Sequence, residues 1–537
     1  MPSHRIRARP PRGEPRWPQS LSSPDEVEPF LRDAAGTPGG HTPQVLLPRS
    51  EAEVARAVRE SRAVLPVGAQ SSLTGGATPF GHTVLSLARM DGIGPLRGDE
   101  IELQAGVALV SLDAHLAGHG LFYPPAPTFH GALAGGTAAT NAAGAVTFKY
   151  GSTRDWVRAL TVVLASGEVL DVERGACLAN AAGDFEVEAL DGAVARVPIP
   201  TYAMPEVVKR SAGYHAEPGM DLVDLFVGSE GSLGVITSLR LRVAPEPPRL
   251  LAWMGFGSEG AALHAVGRLR EASRATWASR DPRGVDVSAI ESMDGRCLQL
   301  LREDGKDREH GVVLPQDVQT ALLIQAELPP GADARAATEE IGSLDEPGCP
   351  DTPITRLCRL LGEGASLDAL QVALPGDTRR AAQLLALREA VPVAVNHRVD
   401  AAKRAGHPAV HKTAADMIVP FESLPEMVGI YREGFARRGL DHALWGHASD
   451  GNLHANVVPA TEADVAAGEE AILEFGEHAI RLGGCPLSEH GVGQSPVKQA
   501  LLRKLYGESG IEQMRRVKSA LDPQWKLAPG VLFPAPR

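Results

Sequence analysis

The sequence predicts an α+β fold divided into more than one domain, and three observations carry this. The chain has 537 residues, enough for roughly three or four domain-sized units and too many for one core. Single apolar runs of strand length alternate with single helical patterns, the rhythm of an open α+β sandwich. A proline cluster, "APEPPRL" at 244–250, interrupts the chain near its middle and is its clearest boundary.

The elements follow in order. The opening "MPSHRIRARPPRGEPRWPQSLSS" is basic and proline-rich with no apolar stretch, so it is not a secretory signal, and residues 1–23 read as a disordered tail. Residues 42–76 read as strand, helix ("EAEVARAVRES"), strand ("AVLPVGA") and a small-residue loop. A strand and a helix closed by Gly120 come next, then a hairpin, "DWVRALTVVLASGEVLDV", turning at Ser166-Gly167. "GSLGVITSLRLRVAP" is a strand ending at the prolines. Beyond them "EGAALHAVGRLREAS" and "TRRAAQLLALREAV" read as surface helices laid on strands such as "TALLIQAEL" and "LDALQVAL". The predicted domains are 24–245, 246–500, and a helical tail at 501–537 that returns to the first.

Composition excludes several classes. The net charge is −13, and no basic block occurs after the first 20 residues, so a phosphate backbone would be repelled. Five cysteines without a CxxC spacing exclude a thiolate iron–sulfur run and suit a reducing compartment, so a cytoplasmic protein, peripheral to the inner membrane at most, is expected. Residues 115–148 carry no Asp, Glu, Lys or Arg, yet their prolines and glycines deny a membrane span.

Three polar, small-residue segments fall within one 200-residue region. "PVGAQSSLTGG" (66–76) follows a strand and offers backbone N–H groups that only small side chains leave open to a phosphate. It is neither a Walker A nor a GxGxxG loop. "GALAGGTAATNAAG" (131–144) and "LFVGSEGSLGVIT" (225–237) are the others, and an FAD is long enough to touch all three. With "KYGSTRD" at 149–155, region 42–245 resembles the FAD-binding domain of the vanillyl-alcohol-oxidase-type flavoproteins. The branch resembled holds D-lactate and D-2-hydroxyglutarate dehydrogenases, the glycolate oxidase flavin subunit and alkylglycerone-phosphate synthase. The resemblance implies a two-subdomain PCMH-type FAD-binding domain and an α+β cap domain with an antiparallel sheet. It assigns the cofactor to Pro66, Val67, Gly68, Ala69, Gln70, Ser71, Ser72 and Gly75. To these it adds Pro125, Gly135, Gly136, Thr140, Asn141, Gly144, Tyr150 and Gly151, then Glu230, Gly231, Gly234, Val235 and Ile236. Ala69 and Gln70 stand where relatives have glycine, and Ala528 in "KLAPGVLF" where they have Asn. The 66–76 loop holds no His or Cys and His130 lies outside it, so the FAD is expected to be noncovalent.

A second constellation lies in "GHASDGNLHANVV" (446–458). Asp-Gly between apolar-rich runs signals a two-residue hairpin turn. With Asp450-Gly451 at that turn, His447 opposes His454 with Cβ atoms about 5 Å apart, and Asn456 shares their face. "PLSEHGVG" (486–493) adds Glu489 and His490, and a His₂–Glu set suits zinc or a similar divalent ion. In the family resembled, these residues correspond to metal ligands His447, His454 and Glu489 and to the base His490, with Zn or Mn as the ion. The resemblance further implies that Arg388 binds the substrate carboxylate, that Asn456 helps to orient the substrate, and that Lys412 is a displaced substrate lysine. The implied reaction oxidises a D-2-hydroxy acid, lactate-like first, with hydride to flavin N5. Electrons would then go to an external acceptor: a quinone, a cytochrome, an electron-transfer flavoprotein or an iron–sulfur protein. A homodimer is allowed. The alternatives are glycolate or D-2-hydroxyglutarate as substrate, a flavin transferase like alkylglycerone-phosphate synthase, and a metal-only hydrolase.

Overall fold

A computed structural model describes residues 3–534. The chain forms two compact units: one holds residues up to Gly144, Gly151–Pro245 and the chain from Cys485, the other Ala145–Tyr150 and Glu246–Gly484. Pro245 ends the second segment of the first unit, and Glu246 begins the long segment of the second. The chain returns to the first unit at 485 and not at 501, because the "PLSEHGVG" segment folds with the glycine loops.

In the first unit, a four-stranded sheet runs Gln19–Leu21, Val45–Leu47, Thr83–Ser86, Val64–Val67. Its parallel strands are buried on both faces and accordingly read as continuous Val/Leu runs. A five-stranded antiparallel sheet centres on Val157–Val163, Val235–Arg242 and Glu100–Gln104. Val235–Arg242 buries alternate side chains from its middle onward, as a half-covered strand should. The hairpin at Ser166-Gly167 forms as predicted, with Gly167 at φ 81°. The tail is not disordered: Arg5–Arg7 pairs with Asp184–Glu188 and Gln19–Leu21 with Val45–Leu47. Arg9 anchors it with two carboxylates, Glu51 at 2.7 Å and Asp171 at 2.5 Å. Its basic prolines signalled disorder, but they hid two short edge strands.

The second unit is built on an eight-stranded antiparallel sheet. Its order is Gln371–Ala373, Arg249–Phe256, Thr320–Glu327, Val287–Asp294, His442–His447, Asn452–Val457, Thr413–Ala414, with Met417–Ile418 also pairing on Asn452–Val457. Gly295–Glu303 and Thr378–Arg404 cover one face, joining Trp253, Leu323, Leu298, Leu387 and Trp445 in one apolar core. Each such buried Leu contributes about 1.5–3 kcal/mol. Glu259–Ser279 is a further long helix of this unit, started by the Ser258 cap. Among the described residues no helix is long and apolar enough to cross a membrane.

Candidate active site

The first unit contains a cavity of about 310 Å³. Residues 66–72, 135–136, 140, 230–231 and 234–236 line it, so all three small-residue segments meet there. Glu489 and His490 line the same cavity. The helix Ala134–Thr140 carries two adjacent glycines with different jobs. A Cβ on Gly135 would lie 2.5 Å from the Ala105 methyl, whereas one on Gly136 would meet nothing within 4 Å. Gly135 therefore permits close packing, and Gly136 leaves the cavity open.

Gln70 adopts φ 52°, which explains why a glycine suits that position. Its side chain offsets the strain: Nε2 donates to the carbonyl of Phe30 at 3.0 Å, which ties the loop down. Ala528 likewise sits at φ 41°, a conformation that Asn tolerates better than Ala. Glu230 is also left-handed, at φ 53°, and its carboxylate accepts the N–H groups of Val492 and Gly493, both at 2.8 Å. Burial pushes its carboxyl up to about 7, against those two N–H donors. Glu230 thus clamps the loop that follows His490. Glu489 is paired with Lys209 at 2.8 Å, and Lys209 is fully buried. His490 Nε2 lies 3.7 Å from Glu489 Oε1.

In the second unit the hairpin register differs from the prediction. Ala448–Asp450 wind into a short 3₁₀ turn and Gly451 follows at φ 84°, so four residues make the connection instead of two. His447 opposes Asn452, and His454 opposes Trp445. A shift of two residues leaves each side chain on its predicted face, because strand side chains alternate with period 2. The two imidazoles therefore stay neighbours, diagonal instead of opposite, with ring centroids 5.6 Å apart and planes at 86°. A Cβ on Gly451 would lie 2.3 Å from the Val419 carbonyl, so the turn requires glycine. Ser449 is fully buried and its hydroxyl accepts the Ile290 N–H at 3.2 Å, which ties the turn to the strand Val287–Asp294.

Glu291 organises this face. One of its oxygens accepts from His447 Nδ1 and the other from Arg388 Nε and Nη2, the latter at 2.6 Å. Burial opposes its charge, but Arg388 and His447 outweigh that and hold the carboxyl well below the usual range. Arg388, expected as a substrate-carboxylate ligand, thus commits Nε and Nη2 to Glu291. Lys412 is pushed down to about 8, by burial first and by the Arg388 charge second. His454 Nδ1 lies 3.8 Å from the fully buried Asp416. Asn456 donates to the His454 carbonyl at 3.0 Å, while its own buried Oδ1 has no hydrogen-bond partner among the described residues.

Six residues assigned to the cofactor do not line the cavity: Gly75, Pro125, Asn141, Gly144, Tyr150 and Gly151. Asn141 ends a helix at φ 49° and accepts the Arg154 N–H at 3.0 Å. Gly144 lets the chain pass the Ala126 carbonyl, where a Cβ would lie at 2.4 Å. Gly151 occupies a left-handed turn against Asp155. Tyr150 donates to Glu327 at 2.7 Å within the second unit. The lining segment Pro127–Phe129 and the carboxylate and lysine partners Glu291, Asp416 and Lys209 were not among the residues the sequence pointed to. None of the three partners sits in a recognisable local motif.

With this geometry in view, the comparisons with known proteins converge. The family described as "FAD linked oxidases, C-terminal domain" matches residues 259–532, and "FAD binding domain" matches 42–173. The chain belongs to the FAD-linked oxidases and is an FAD-binding oxidoreductase. It is 29% identical over 527 residues to the mitochondrial D-2-hydroxyglutarate dehydrogenase of Bos taurus, covering 96% of this chain and 81% of that one. It is 28% identical to the glycolate oxidase subunit GlcD of Bacillus subtilis (strain 168), covering 91% and 88%. The D-lactate dehydrogenase of Anaerostipes hadrus is also 28% identical, at 94% and 93% coverage. A solved alkyldihydroxyacetonephosphate synthase shares the fold, with a TM-score of 0.59 at 15% identity over 97% of this chain and 85% of that one.

Proposed function

We propose that this chain oxidises a D-2-hydroxy acid, lactate-like first, to the 2-oxo acid, using noncovalent FAD and a divalent cation, zinc or manganese. The observation that carries the reading is that His490 lines the same cavity as the three small-residue segments, so a base faces the space they leave open. The cavity suits a flavin nucleotide: its walls are small residues with backbone amides, and at Gly136 nothing lies within 4 Å of where a Cβ would stand. Bound FAD supplies a two-electron acceptor for the substrate's C2 hydrogen. His490 Nε2 takes the hydroxyl proton as general base.

The hairpin fits a metal through its supporting groups. A carboxylate on Nδ1 fixes the ring of His447, as carboxylates do for metal-binding histidines, and the unpaired Asn456 Oδ1 suits a ligand with donors or a charge. We assign His447 and His454 to the cation from this geometry, and Glu489 on its motif alone. A divalent ion held by these residues would supply Lewis acidity toward the substrate hydroxyl. Arg388 attracts the substrate carboxylate through the guanidinium nitrogen that Glu291 does not hold, Lys412 adds a second positive charge, and Asn456 orients the substrate. Lys209 holds Glu489 in place through their 2.8 Å ion pair. Electrons leave for an external acceptor.

Anaerobic bleaching of the flavin band by a panel of D- and L-2-hydroxy acids, with and without a chelator, tests this. Bleaching by a D-acid that the chelator abolishes and the metal restores is the expected result. No bleaching by any 2-hydroxy acid, with FAD bound, would sink the reading. Dye reduction with an external acceptor separates it from a transferase, which needs none.

A further inference from the structure

The second unit holds another cavity, of about 720 Å³, lined along one side by the helix Glu259–Ser279 and on the other by Phe421, Glu422 and Pro425. Arg270 and Arg274 both line it, one turn apart on the same helical face. Arg270 is only 6% exposed, yet among the described residues it has no hydrogen bond and no ion pair. Its guanidinium carbon stacks 4.2 Å from the ring centroid of Phe421 and 4.9 Å from that of Phe148. Arg274 makes a longer contact with Phe148 at 5.9 Å and is likewise unpaired. The third arginine of the cavity, Arg268, is by contrast occupied by Glu363 at 2.8 Å.

A buried guanidinium without an acceptor is costly. Ring stacking recovers part of that cost, and no acceptor among the described residues takes any of the five N–H donors. Burial first, then Arg274, push Arg270 down to about 10, while Asp450 and Glu422 pull the other way, so it stays a cation at neutral pH. Gly267 keeps the wall open where a Cβ would press on Phe421 at 3.4 Å. Acidic Glu271 and Glu422 on the lining repel an extended polyanion and leave room for a small one.

We infer that this cavity is a binding site for one small oxyanion, a phosphate or carboxylate group held in bidentate fashion by Arg270 and steered in by Arg274. The planar fork of arginine matches two oxygens of either group. The helix also packs against the 3₁₀ turn Ala448–Asp450, so the bound anion would sit near the hairpin that carries both imidazoles.

Titration calorimetry on the full FAD-loaded chain tests this, with inorganic phosphate in one arm and acetate or succinate in another. Saturable binding to one site is expected in at least one arm, which identifies the group recognised. Arg270→Lys keeps the charge and loses the fork, so the affinity should fall about tenfold or more. Arg274→Gln, an exposed change, should weaken binding a few-fold without affecting flavin reduction. The inference is overturned if neither anion gives saturable heat, or if Arg270→Lys binds like the parent. Should Arg270→Lys fail to fold, unchanged binding in Arg274→Gln overturns it instead.

Discussion

The cavity of the first unit and the hairpin face of the second are built from opposite materials. The cavity is a matter of backbone and absent side chains: Gly68, Ala69 and Gly136 matter for what they leave out. The hairpin face is a matter of buried charge, with Glu291, Arg388, His447, Asp416 and His454 all nearly solvent-free. Shape tolerates substitution until volume is added, whereas a charge network fails when one member goes. His490 belongs to the cavity by position but acts through its side chain, so it gives the largest expected effect. His490→Asn should leave FAD bound and slow anaerobic flavin reduction by about 10²- to 10⁴-fold. A rapid-mixing measurement showing an undiminished rate would remove His490 from the chemistry.

The next effect tests the charge network itself. Glu291→Gln leaves Arg388 buried without its counter-charge, and breaking a buried pair from one side costs about 3–5 kcal/mol. The unfolding free energy should drop by that order. Because Glu291 also holds His447 Nδ1, cation affinity should fall about 10- to 100-fold in the same variant. A variant that keeps its metal affinity but loses stability would show Glu291 to be structural only.

The same contrast governs what the sequence makes legible. A cavity made of small residues leaves a compositional trace, so the three loops at 66–76, 131–144 and 225–237 could be read as converging before any coordinates. The hairpin histidines were legible from strand period, and even a wrong turn length kept them on one face because the register slipped by two. Glu291, Lys209 and Asp416 left no trace, since each is 38 or more residues from the histidine or acid it contacts and only tertiary packing brings them together. Asn141 closes a helix and Gly151 makes a left-handed turn, backbone roles that the sequence motif alone does not separate from ligand contact.

Glu230 lies between the two kinds of site, a carboxyl inside the glycine-lined cavity. Its folded pKa stands near 7 against an ordinary 4.5, so the fold binds a proton that the unfolded chain has released between those values. The stability it contributes is therefore fully present below pH 4.5 and is lost as the pH rises through about 7. The difference amounts to at most about 3 kcal/mol. Chemical denaturation across that range should show the parent losing stability relative to Glu230→Gln. Parallel curves would mean that the two N–H donors of Val492 and Gly493 keep the carboxylate ionised throughout.

The smallest effects separate packing from ligand space within one helix. Gly135→Ala drives a methyl into Ala105 at 2.5 Å and should destabilise the protein by about 1–3 kcal/mol, with or without FAD. Gly136→Ala places the same methyl in open space, and a helical Gly→Ala change there should stabilise the FAD-free protein by about 1 kcal/mol. The added methyl takes up room at the cavity wall, so FAD should bind more weakly to this more stable protein. Opposite signs at Gly136, in the unfolding temperature of the FAD-free form and in the dissociation constant from flavin fluorescence, are the result to look for. Weaker FAD binding with an equal loss of stability would mean that Gly136 also serves packing, and the division between the two glycines would fail.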